Sequence, residues 1–268
     1  MQNQNHQNQL TKKQIESVVS LYSSGNFEEA ITQIKSLNES YPNVPILFNI
    51  LGACYKAIGE IDGAIQMFET ATKIKPNYAE AFFNIAVIYQ ELLQTDDAIK
   101  NYKKTLAINP KYPDAHNNLG ILFLDFRDFV KAINHFKLAI SNKPDFAAAH
   151  NNLGSALQEK GELKSALTSY KKAISINSDY AQAHNNIGIL LQKNGDLGSA
   201  RLSYESAIKI NPSYASAHHN LSSIKIYSKN DEQIIQMESI LASNRVIDSD
   251  RIKLGFALSK AYEELGDK

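Results

Sequence analysis

The chain has 268 residues, 43% of them hydrophobic, with Lys+Arg and Asp+Glu balanced at 28 each. The neutral balance excludes the basic stripe that a nucleic-acid binder needs to neutralise phosphates. The single cysteine, Cys54, excludes an internal disulfide framework and a cysteine zinc site, and no run of about 18 apolar residues is present to cross a membrane. The expected protein is therefore soluble and cytoplasmic, with no nucleic-acid or membrane partner.

Residues 1–10 are almost pure Gln and Asn. They carry neither the charged start nor the apolar stretch of a leader, and they predict a disordered tail, because such a tract buries too little apolar area to offset its ordering entropy. From residue 11 the chain repeats itself every 34 residues. Asn118-Leu119-Gly120 returns as Asn152-Leu153-Gly154, as Asn186-Ile187-Gly188 and, more loosely, as Asn220-Leu221-Ser222; backward it becomes Asn84-Ile85-Ala86 and Leu51-Gly52. A second mark, Ala30, Ala64, Ala98, Ala132, Ala166 and Ala200, recurs at one offset, each followed four residues later by a large apolar side chain. Such self-similarity is the signature of a stacked array. Seven units are expected to start near 11, 45, 79, 113, 147, 181 and 215, filling residues 11–248.

Each unit holds two apolar patterns of helical period, divided midway by a turn pair such as Gly25-Asn26, Gly59-Glu60, Gly161-Glu162 or Gly195-Asp196. A glycine there can take the left-handed conformation that ends a helix, so each unit reads as helix, tight turn, helix. Leu93 and Arg127 occupy the same slot in two copies, where the turn should be less ideal. All seven prolines fall at joints between units, where proline stops one helix or opens the next. Within a unit, small residues such as Gly120 and Ala132 should let the two helix backbones approach.

The combination of Leu-Gly, a mid-unit Gly, then Ala, an aromatic, Ala and Pro on this period resembles the tetratricopeptide repeat. The resemblance implies an all-α fold, a right-handed superhelical solenoid of antiparallel helix pairs, with the first helix of each pair lining a concave groove. The seventh unit keeps Ala217, Asn220 and Leu221 and then drifts, with Ile234 where Ala is expected. Residues 249–268 predict one further helix, either a cap or the first half of an eighth unit displaced by three residues. The stretch from Arg251 to Asp267 is similar to the segment that joins repeats to the catalytic domain in bacterial sulfotransferases with tetratricopeptide repeats. The phosphosulfate-binding loop of that family is absent, and the chain is expected to continue in a longer protein or to stack on another copy through its last helix.

With Pro113 as position 1, helical geometry turns positions 2, 5, 6, 9 and 13 into the groove. Position 6 holds Asn84, Asn118, Asn152, Asn186 and Asn220, and position 5 holds Asn117, Asn151 and Asn185. A carboxamide can bond both the C=O and the N–H of one peptide unit, so a ladder of amides would grip an extended backbone with tolerance for its side chains. The groove resembles that of the O-linked N-acetylglucosamine transferase repeats at the five position-6 asparagines. The alternative use of these amides is to bond neighbouring repeats and helix termini. Glu80, Asp114, Glu91, Asp125 and Glu159 make the other groove positions acidic against Lys56 and Lys193, which favours a neutral or basic extended partner.

His116, His150, His184 and His218 also recur on schedule. Equivalent atoms in successive helices stand roughly 8–10 Å apart, too far for one metal ion, so they are expected to pack at the edge of the core. No metal, cofactor or catalytic constellation is expected. The sequence reads as a protein-interaction scaffold; the competing reading is the substrate-recognition arm of a larger sulfotransferase or glycosyltransferase, and a third is a structural spacer or self-assembling array.

Overall fold

A computed structural model describes residues 10–243 and 246–266, and every regular element among them is an α-helix. Residues 1–9, where the tail is expected, and Asp267 of the final turn lie outside the described residues. The chain divides into two compact units, Met1–Leu122 and Phe123–Lys268.

The first unit holds α1 (Lys12–Ser23), α2 (Phe27–Ser40), α3 (Pro45–Ala57), α4 (Ile61–Ile74), α5 (Ala79–Glu91), α6 (Thr95–Ile108) and most of α7 (Pro113–Asp125). Thr11 caps α1 through a reciprocal capping box with Gln14, which satisfies two of the orphan N–H groups of a helix start. Helices α3 and α4, and likewise α5 and α6, pack along their length as pairs, and α2 packs on α3 and α4 on α5. The second unit repeats this with α8 (Phe129–Asn142), α9 (Ala147–Glu159), α10 (Leu163–Ile176), α11 (Ala181–Lys193), α12 (Leu197–Ile210) and α13 (Ala215–Ile224).

The turns behave as their glycines require. Gly25, Gly59, Gly161 and Gly195 have φ between 79° and 87°, and Leu93 and Arg127 are forced into the same left-handed region at 59° and 60°. Leu93 is 87% exposed, so its side chain gains nothing to offset the clash between its Cβ and the following carbonyl.

Inside each pair, the recurrent alanines are fully buried, as are Phe68, Phe136, Tyr170 and Tyr204. The glycine of the Leu-Gly pair is what admits the ring. A Cβ on Gly52 would stand 2.8 Å from the Phe68 ring, on Gly154 2.6 Å from that of Tyr170, and on Gly188 2.5 Å from that of Tyr204.

The seventh repeat departs from the frame for a steric reason. Ile234 fills the slot that alanine holds elsewhere and is buried, so α14 (Glu232–Ala242) packs only lightly on α13, and α15 (Asp248–Leu265) packs closely on α13 instead. The Lys253 ammonium donates to Ser216 at 2.9 Å, Ser222 to the Ala257 carbonyl at 3.2 Å, and the Tyr227 N–H to Glu264 at 3.0 Å. Lys260 donates to the carbonyls of Ser222 and Lys225. Residue numbers rise together along the two helices, so α15 runs parallel to α13. Tyr227, Met237, Leu254, Ala257 and Ala261 form the core beneath it.

Candidate functional site

The first-helix face carries the amides, and the structure separates the two positions that the helical wheel places side by side. Asn117, Asn151 and Asn185 at position 5 are buried, and Asn151 and Asn185 accept from amides of the following repeat. The position-6 residues Asn84, Asn118, Asn152, Asn186 and Asn220 are half-buried.

The two positions interlock across repeats. In the first unit the Asn84 amide donates to Asn49 Oδ1 at 3.1 Å. In the second, Asn186 donates to Asn151 and Asn220 to Asn185, both at 2.9 Å. These three position-6 amides are thus clipped by one N–H to the position-5 oxygen of the preceding repeat, a use of the amides that the sequence left open. The Oδ1 atoms of Asn84, Asn186 and Asn220 have no protein partner among the described residues. The clip orients these amides and leaves an acceptor and a donor on each. Asn49, at position 5 of the second repeat, belongs to the set and was missed; its signal was an asparagine one repeat before Asn84.

At the third repeat position 5 is Phe83, so Asn118 has no amide to reach. It donates instead to the Tyr102 hydroxyl at 2.9 Å, and that hydroxyl donates to Gln90 Oε1 at 2.6 Å. The same pairing recurs in the second unit, where Tyr204 bonds Gln192 at 2.6 Å and Tyr170 bonds Gln158 and Ser155, both at 3.3 Å. Burial holds the Tyr102 hydroxyl well above the usual phenol range and pushes Tyr204 up to about 12, so these groups are permanent donors. The sequence contains a signal for this as well. Tyr102, Tyr170 and Tyr204 are each preceded by Gln twelve residues earlier, whereas Phe68 and Phe136 follow Lys56 and Leu124.

The four periodic histidines are committed to the joints between repeats. His116, His150, His184 and His218 place Nε2 2.9, 3.0, 3.2 and 2.9 Å from the carbonyl oxygens of Pro110, Pro144, Ser178 and Pro212. A carbonyl only accepts, so Nε2 carries the proton and satisfies a joint carbonyl two residues beyond the end of the preceding helix. His218 is fully buried, and burial lowers its pKa below 6.5, with Lys225 lowering it further against the opposing effect of the Pro212 bond. Among the described residues no group of three or more His, Cys, Asp or Glu side chains is arranged to hold a metal ion, and no helix is long and apolar enough to cross a membrane.

Acidic side chains flank the amides. Glu91 is bonded to Lys56 at 2.7 Å, while Glu80 and Asp114 have no basic partner among the described residues.

Comparison with known proteins places these features in a family. A model described as the TPR repeat matches residues 52–92, 94–125 and 154–195, and one described as the tetratricopeptide repeat matches 181–214. Together they cover half of the chain. No curated protein matches it. Among solved structures, a tetratricopeptide repeat protein from Parabacteroides merdae is 16% identical, with 92% of this chain and 98% of that one aligned at a TM-score of 0.70. MamA is 24% identical over 64% of this chain and 93% of its own, at a TM-score of 0.55. YrrB, described as a TPR protein with an unusual peptide-binding site, is 18% identical over 69% of this chain and 96% of its own, at 0.57. The period, the interlocked helix pairs and the matched models agree, and the chain belongs to the tetratricopeptide-repeat family.

Proposed function

We propose that the protein is an interaction scaffold that holds an extended peptide segment along its first-helix face, in the concave groove expected of such repeats. The observation that carries this reading is the row of half-buried position-6 amides, of which Asn84, Asn186 and Asn220 are each held in place by one N–H and keep an acceptor oxygen and a second N–H for a ligand. Successive first helices stand roughly 8–10 Å apart and an extended chain advances about 3.3 Å per residue, so one amide meets about every third peptide unit. Pre-orientation by the clip lowers the entropy cost of capture. The peptide-binding site named for YrrB is consistent with this use of the fold. Unpaired Glu80 and Asp114 favour a neutral or basic segment.

Replacing Asn118, Asn152 and Asn186 together by Ala tests the reading by isothermal titration with a peptide selected on the full chain. Affinity should fall at least about tenfold, about 1.4 kcal/mol, with helicity by circular dichroism unchanged. Full affinity in the triple variant would remove the amides from the mechanism.

A second surface supports self-association through α15. Ile252 and Phe256, four residues apart on one side of this helix, are 58% and 66% exposed. Sedimentation velocity should show dimers growing with concentration in the wild type and lost in Phe256→Glu. A wild-type chain that stays monomeric at every concentration refutes this contact.

A further inference from the structure

The row of position-5 amides is interrupted at one internal position. Position 5 is Asn in the second, fourth, fifth and sixth repeats and Phe83 in the third. The Phe83 ring is half-buried and stacks on Tyr112, with centroids 4.9 Å apart and planes at 26°, while its other neighbour, Tyr102, is tilted at 53°. Where the fourth, fifth and sixth repeats bury an amide, the third leaves part of an apolar ring accessible beside Asn84.

Two carboxylates flank the stack in the chain, Glu80 one helical turn before Phe83 on α5 and Asp114 two residues after Tyr112. Glu80 and Asp114 stand one repeat apart at position 2, and neither has a basic partner among the described residues. Tyr78 is nine-tenths buried, yet its hydroxyl, like that of Tyr112, makes no hydrogen bond to the protein among the described residues. The four groups share one locale. Burial pushes Tyr112 up to about 12, and Glu80, Asp114 and Tyr78 add to the shift; burial and then Glu80 raise Tyr78. The base at hand, Lys75, lies 4.9 Å over the Tyr78 ring and pairs with neither carboxylate. The locale is thus an aromatic surface rimmed by unneutralised negative charge, with two unused phenol hydroxyls.

We infer that Phe83, Tyr112, Glu80 and Asp114 form a side-chain pocket for one basic residue of the bound segment, arginine before lysine. It rests on the reading that the first-helix face holds an extended peptide, and it supplies the register that the tolerant amides lack. A guanidinium is planar, stacks on aromatic rings and bonds carboxylates in a fork, and the phenol oxygens accept its remaining N–H groups. Phe83 displaces the ladder where the pocket is built, and Asn118, deprived of its amide partner, is held by Tyr102 instead.

The test is selection of a displayed random dodecapeptide library on the full chain, in parallel with Glu80→Gln/Asp114→Asn and with Phe83→Asn. Both variants are first shown to melt with the wild type's cooperativity. Wild-type binders should share one fixed Arg or Lys, and resynthesised peptides with that residue replaced by Gln should bind at least about tenfold more weakly. That preference should vanish in both variants. Binders that lack a fixed basic residue, or that keep their preference in the variants, overturn the pocket and leave the groove reading standing. A selection yielding no binders overturns the groove reading and the pocket with it.

Discussion

Single atoms set the packing of each repeat. Gly188 meets the Tyr204 ring where a Cβ would stand 2.5 Å away, so Gly188→Ala should overpack the layer and cost about 1–3 kcal/mol, read as a lower urea midpoint. The same slot of the third repeat holds a fully buried Ala86. At Leu93 the strain runs the other way. Its φ of 59° makes Leu93→Gly a stabilising change of about 1 kcal/mol, measured by the same melt; a loss of stability would contradict the strain. His218 supplies a pH signature. Its folded pKa lies below the unfolded value of 6.5, so its contribution is fully present above 6.5 and is lost as the pH falls towards the folded value, because only the unfolded chain takes the proton. Between about pH 7.5 and about pH 5.5, the wild type should lose more stability than His218→Gln. Equal losses would show that the ring titrates alike in both states. Cys54 is fully buried, with its thiol pushed up to about 11 by burial; in the native protein it should resist alkylation that proceeds at once in urea.

Helices and their pairing were the most legible level, for a physical reason: each repeat restates the same steric solution, so six copies of an alanine and four of a turn glycine leave little freedom. What the sequence could not separate was which neighbouring amide is buried and which is half-exposed. Positions 5 and 6 are about 100° apart on the helix, and the boundary between the inter-repeat contact and the open face runs between them. The tie was broken by the residue one repeat away, as Asn84 on Asn49 and Asn118 on Tyr102 show. The seventh repeat was legible only as a loss of frame. Ile234 holds α14 off α13, and α15 runs parallel to α13 as successive first helices do. We read α15 as a first helix closing the second unit. Ending the chain before Asp248 should uncover Tyr227 and Met237 and lower the melting temperature of that unit; an unchanged melt would mean that α15 is an appendage.

The proposed function divides labour between tolerant backbone capture by the half-buried position-6 amides and a single side-chain pocket beside Phe83. The measurement that bears most directly on this is the side-chain amide NMR spectrum of the full chain, with Asn resonances assigned by substitution, during titration with a selected peptide. The account predicts shifts at Asn84, Asn118, Asn152, Asn186 and Asn220, with the exposed Asn134 and Asn194 unmoved. Shifts confined to residues outside the first helices, with the position-6 amides unchanged at saturation, would contradict it.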